Sequence, residues 1–202
     1  MRRAAQAGIS LVIVLILLFA SVLLGTSAAV IALQAEKASR GDRDRQSAFQ
    51  AAEAALIDAQ LDIDTAGSPG AIRTEPFSPS GALGFPPTDQ AANCVSGQTS
   101  SSLGLCKRAI DGQIPSWLAI NLADTSAQSL SVPYGRFTQQ KFPTGQLALP
   151  AALPRYVIEL MPYHRPGMDA SASSYAYRIT AIGFGANSST QVVLQAFYRK
   201  EN

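Results

Sequence analysis

The chain has 202 residues, a formal net charge of +2 and 47% hydrophobic against 15% charged residues. That length holds one modest domain beside a long apolar amino-terminal stretch and excludes several large ones. Lys and Arg are scattered rather than clustered, so no basic patch is available to follow a phosphate backbone and nucleic acid is not expected as a direct partner.

From Ile9 to Leu33 there is no charged residue, and the polar side chains are Ser10, Ser21, Thr26 and Ser27. A bilayer crossing needs roughly 20 apolar residues, so this stretch suffices. Arg2 and Arg3 precede it and the mixed pair Glu36 and Lys37 follows it, which predicts a cytoplasmic amino terminus and an outside head. A cleaved secretory signal is the competing reading, because Ser27-Ala28-Ala29 offers small residues. Against it, such a core spans only about 7 to 15 residues, and apolar character here continues to Leu33.

Helical signal continues from Gln34 to Ile63. No proline occurs there, Glu36 and Arg40 stand four apart, and Phe49, Ala52, Leu56, Ala59 and Ile63 recur at three- and four-residue steps. The pattern predicts an amphipathic helix with one apolar stripe and a weak point at Gly41. Thr65-Ala66-Gly67-Ser68-Pro69 should end it, since glycine suits a terminus and proline cannot continue. Asp58, Asp62 and Asp64 near that end are expected on a solvated face.

Residues 66–154 are crowded with prolines and predict a loop-rich region with one short element around Ile114 to Leu122, where Trp117 would anchor the core. Cys94 and Cys106 are the only cysteines. Outside the cytoplasm a disulfide closing that loop is the expected use, with two free thiols the alternative. Residues 155–202 differ in kind: 155–161, 175–182 and 190–198 are rich in β-branched and aromatic residues and predict three strands. In the second, Tyr175, Tyr177, Ile179 and Ala181 alternate with Arg178 and Thr180, predicting one buried face. Short connections suit antiparallel neighbours. The expected fold is α+β, a small antiparallel sheet packed on the outer half of the helix.

No grouping of nucleophile, base and metal ligand stands out, so no enzyme, cofactor or metal is expected. His164, the only histidine, sits in Pro162-Tyr-His-Arg-Pro166 without triad or ligand spacing. Gly183-Phe-Gly185 precedes a strand-like run, not the helix and lysine that a phosphate loop requires.

Ala7-Gly8 stands directly before the apolar run, behind Met1-Arg2-Arg3. This resembles a prepilin leader (residues 1–8), which a membrane-embedded prepilin peptidase cuts after the glycine. The resemblance implies cleavage between Gly8 and Ile9, with Ile9 the N-methylated mature terminus. Ser10 to Leu18, Asp42 to Leu56, Pro154 to Glu159, Tyr177 to Gly185 and Thr190 to Gln195 are similar to PilX-type minor pilins of type IV pili. The middle, from about Gly67 to Pro150, matches nothing.

The resemblance implies a pilin-like fold whose helix has a transmembrane half (9–33) and an extracytoplasmic half (34–65), with a head over 66–202. Implied partners are other minor pilins, the major pilin, the prepilin peptidase, a tip adhesin and the inner membrane. Implied processes are pilus assembly, twitching motility and adhesion. Phe49, Ala52 and Leu56 would pack on equivalent helices. The chain departs from the major-pilin pattern at Ile13, where that pattern carries a glutamate. A buried carboxylate is costly unless paired, and without one this subunit is expected near the tip, in a priming complex. Two alternatives are a minor pseudopilin of a type II secretion system and a membrane-anchored extracytoplasmic binding protein.

Overall fold

The computed structural model describes residues 9–78, 80–86, 94–97, 99–145, 148–164, 167 and 174–200. One long helix, α1, occupies Ile9–Thr65. The chain divides within it into two compact units, at Arg43 and Asp44, and each unit is described by itself.

In the first unit α1 carries apolar side chains in every direction. Leu11, Ile13, Leu17, Phe19, Leu24, Ile31 and Leu33 are all more than half exposed, the surface expected of a helix whose solvent is lipid. Three of its hydroxyls are satisfied within the helix: Ser21 Oγ donates to Leu18 O at 2.8 Å, and Thr26 Oγ1 and Ser27 Oγ donate to Leu23 O at 3.0 and 2.8 Å. These bonds remove the cost of placing three hydroxyls in hydrocarbon. Arg40 and Glu36 form the expected i,i+4 ion pair. Gly41 does not interrupt the helix.

In the second unit the last turns of α1 lie on a sheet. Its strands are β1 (Leu105–Lys107), β2 (Val132–Pro133), β3 (Arg155–Pro162), β4 (Tyr175–Phe184) and β5 (Gln191–Tyr198), with one short helix, α2 (Ser116–Ala119), between β1 and β2. The order is β1-β3-β4-β5, and β2 also pairs with β3. The three long strands form the expected antiparallel meander, with Ile158 opposite Ile179 and Ile179 opposite Ala196. Expectation fails at β1, which runs parallel to β3, so the sheet is mixed. A three-residue strand set among prolines and glycines leaves no period-2 signal to find.

The helix meets the sheet through small residues. Ala48, Ala51, Ala52, Ala55 and Ala59 have no exposure. Opposite them, a Cβ added at Gly183 would collide with the backbone of Ala48, Ala51 and Ala52, and one at Gly185 with Asp44. Backbone therefore lies on backbone at the end of β4, and α1 is held closer than any larger side chain permits. Toward the other end the gap widens and fills: Ala55, Ala59 and Ile63 pack with Tyr156, Ile158, Tyr177 and Ile179.

The second face of β4 is covered too, contrary to the expectation of one buried face. Val157, Ile182 and Phe184 cluster there with Leu122, Cys94 and Cys106, and Thr180 is fully buried. The cover comes from the region read as loops. Cys94 and Cys106 are joined by a disulfide, and Phe77, Leu103, Leu105, Val132 and Phe137 add to the helix-side core. Trp117, expected as an anchor, is only half-buried. Its neighbour Ser116 is the buried residue of α2, its Oγ donating to Lys107 O at 2.7 Å.

Two consequences are measurable on the purified full-length protein. Gly183→Ala should lower head stability by about 1–3 kcal/mol or more, because the added methyl meets helix backbone that has no rotamer to change; thermal unfolding checks this. Replacing both cysteines by serine should cost about 2–4 kcal/mol, read as a lower denaturant midpoint that reductant reproduces in the wild type.

Candidate functional site

The features available for function are the lipid-facing part of α1, the outward arc of its head half, and the polar joint that ties the middle region to it. The arc is set by helical spacing. Phe49, Ile57 and Leu61 are 41%, 66% and 36% exposed; their spacing turns Ile57 and Leu61 away from the buried alanines and sets Phe49 at the border of that side. Glu53 lies between them and is exposed.

The residues expected to pack on neighbouring helices are distributed differently. Phe49 is on the arc, Leu56 is half-buried at its border, and Ala52 is buried inside its own head. Their spacing of three and four residues keeps the three on one stripe, but the head covers that stripe unevenly, burying Ala52 and leaving Phe49 exposed. Cys94 and Cys106 are brought together. Ile9 is the first residue of α1, and Gly8 lies outside the described residues. His164 is exposed just past β3, and among the described residues no group of three His, Cys, Asp or Glu could hold a metal.

The polar joint overturns the expectation for the aspartates. Asp58 and Asp62 are 2% and 1% exposed, and only Asp64 is on the surface. Asp62 accepts from Arg73 Nε at 2.9 Å and Nη2 at 2.8 Å, and from Tyr156 Oη at 2.9 Å. Arg73 also donates to Ser101 O at 2.7 Å and Leu103 O at 3.3 Å, and its guanidinium lies 3.8 Å from the Phe137 ring centroid. One buried ion pair thus joins the helix, the loop after it, the approach to β1, and β3. Burial, with the Asp62 and Asp58 charges adding to it, holds the Tyr156 hydroxyl well above its ordinary pKa, so it stays a donor at any physiological pH.

Asp58 makes a second tie. Its carboxylate accepts from Gly135 N at 2.8 Å and from the Thr138 hydroxyl. Gly135 has φ +74°, and a side chain there would strike Gln140 O, so glycine is required for the turn that aims its N–H at the helix. Burial raises the Asp58 pKa, opposed by the Thr138 and Gly135 hydrogen bonds. These residues were missed although a signal existed: Asp58 and Asp62 are four apart and fall within the alanine stripe at Ala55 and Ala59, where acids must be buried.

A membrane-compatible helix continuing into a head built on an antiparallel meander defines a pilin-like protein. The family models agree. The PilX N-terminal model matches residues 7–56, and the model of the type IV pilus assembly protein PilX C-terminal region matches residues 102–200. The two together span well over half of the chain, which belongs to the PilX family of type IV pilus assembly proteins. No curated protein and no solved structure matches it.

Asp62→Ala should destabilise the head by about 3–5 kcal/mol, because it strands a buried guanidinium; denaturant titration reads the loss. Asp58 gives a pH test. Its folded pKa is raised, so its contribution is present below the ordinary carboxylate range, about 3.9, and is lost as pH rises through the folded value. Asp58→Asn should therefore gain on the wild type as pH rises through that window. A difference independent of pH would mean that folding leaves the Asp58 pKa unchanged.

Proposed function

We propose that this type IV pilus assembly protein is a minor pilin that acts at initiation, joining other minor pilins in a small priming complex that stays near the tip. The carrying observation is Ile13. Among major pilins a glutamate at this position is thought to pair with the amino-terminal ammonium of the preceding subunit. Here an aliphatic side chain takes its place, half exposed on the helix. A subunit without the carboxylate has no partner for an ammonium in hydrocarbon, where an unpaired charge is expensive. It is better suited to come first than to be added beneath others.

In this reading the prepilin peptidase removes residues 1–8, Ile9 becomes the N-methylated terminus, and α1 anchors the subunit once in the inner membrane with its head outside. Assembly then buries the all-round apolar surface of residues 9–33 against neighbouring helices. Gly25, Ala28 and Ala29 permit close approach there, and the arc of Phe49, Ile57 and Leu61 supplies a separate contact on the head. Major pilin adds below, a tip adhesin joins from outside, and the role is structural rather than enzymatic.

The first test is the mass of the mature protein in a host with its prepilin peptidase. Wild type should lose Met1 to Gly8 and Gly8→Val should keep them; retention of the leader by both would overturn the pilin reading. The second is Phe49→Glu with Ile57→Glu. Both side chains are on the surface, so thermal stability should hold while surface piliation falls at least tenfold. Unchanged piliation would remove the arc from the assembly contact.

A further inference from the structure

Among the described residues the sheet ends at β5, and the bonding pattern of β5 shows what could continue it. Gly185 N donates to Thr190 O at 2.9 Å, so in the antiparallel register that follows, Gly183 with Val192, Ala181 with Leu194, and Ile179 with Ala196 are the hydrogen-bonded pairs. Bonded and non-bonded pairs alternate. Gln191, Val193, Gln195 and Phe197 therefore turn their N–H and C=O groups away from β4, toward the far side of β5. Among the described residues, no backbone group outside the β4–β5 ladder bonds to them.

The edge also lacks the usual protection. Gln-Val-Val-Leu-Gln-Ala-Phe-Tyr contains no charge and no proline, the devices by which proteins blunt an open edge. Val193 and Phe197 are 46% and 69% exposed, and their side chains share the face turned away from α1, beside Ile182 and Arg178. An array of alternating donors and acceptors eight residues long, flanked by apolar side chains, is chemically complementary to one thing, another extended backbone.

We propose that β5 is a strand-addition site, filled in the assembled complex by an extended, largely uncharged segment of a different pilin-class subunit. The proposal rests on the priming-complex reading above and names one of its contacts. Geometry disfavours a second copy. The head half of α1 and β5 run in the same direction: Asp44 accepts from Asn187 N at 3.2 Å near the start of β5, and Asp64 accepts from Tyr198 Oη at 2.7 Å at its end. Antiparallel pairing of two β5 edges would place the Asp44 ends of the two heads, from which each chain leads back toward its membrane anchor, at opposite ends of the pair. Pairing β5 with a copy's β1 meets an occupied edge, since Val95 N donates to Leu105 O at 2.9 Å and Gly104 N to Val95 O at 3.1 Å. Among pairings of β5 with a copy's β5 or β1, the parallel β5 pairing is the one that remains, and its slanted ladder is the weaker kind.

The test uses the full-length chain in membranes of a piliated host, with a benzophenone amino acid in place of Phe197 and mass spectrometry of the cross-linked peptides. The expected product joins residue 197 to an extended segment of another pilin-class subunit. Val193→Pro removes an outward N–H that β4 does not use, a change that edges tolerate. It should cut the cross-link at least tenfold while leaving thermal stability nearly unchanged. Leu194→Pro, which removes an inward N–H, should instead destabilise the head. A cross-link to a copy of this chain, the absence of any cross-link, or a cross-link indifferent to Val193→Pro overturns the proposal. If Val193→Pro cells pilate normally while the Phe49 and Ile57 variant does not, strand addition fails and the priming reading stands. If deleting the chain leaves piliation intact, the priming reading fails as well.

Discussion

In the head, α1 lies backbone to backbone on the end of β4, where Gly183 and Gly185 admit the helix between Asp44 and Ala52. Everything else in the head is arranged around the separation this contact sets. Large side chains fit only where the helix and sheet have diverged, so Tyr156, Tyr177 and Ile179 gather at the far end beside Ala55, Ala59 and Ile63. Small residues on both surfaces trade buried area for proximity, and the lost area returns on the other face of β4, covered by the disulfide-closed segment.

That economy explains the buried charges. A helix side so occupied by alanine offers few large side chains to hold the region that follows it. Asp58 and Asp62 do so instead, binding backbone and side-chain donors of segments distant in sequence. Buried ion pairs contribute modest net stability against well-packed apolar groups but penalise wrong arrangements heavily. The joint accordingly specifies which loops lie against α1. Glu159 and Arg178 do similar work across β3 and β4, with Arg178 Nη2 2.5 Å from Glu159 Oε2.

Among the described residues, the arc of α1 and the outer side of β5 are both uncovered, and they are unlike each other. The arc of α1 sets Phe49, Ile57 and Leu61 around the exposed Glu53 and offers side-chain contacts with no fixed register, suited to packing among helices in a bundle. The outer side of β5 is directional, with backbone groups in fixed register. A subunit equipped with both can be selected by one neighbour through shape and by another through strand pairing, which is a physical basis for an ordered complex.

The sequence alone determined the long helix, its lipid-compatible first half, its end near Thr65 and the three long strands, because period 3.6, absence of charge and period 2 are local signals that tertiary context did not overrule. It also determined the family, carried by the two ends of the chain. Tertiary structure decided the rest. Whether Ala52 faces its own head or a neighbour depends on the glycines at 183 and 185, more than a hundred residues away. Asp58 and Asp62 read as solvated until Arg73, Gly135 and Tyr156 are brought to them. The parallel β1 has no local pattern, since three residues between turns acquire a strand's identity only by lying beside β3. Contacts between residues remote in sequence leave no periodicity, and in this protein those contacts position the joint, the disulfide-closed cover and the open edge.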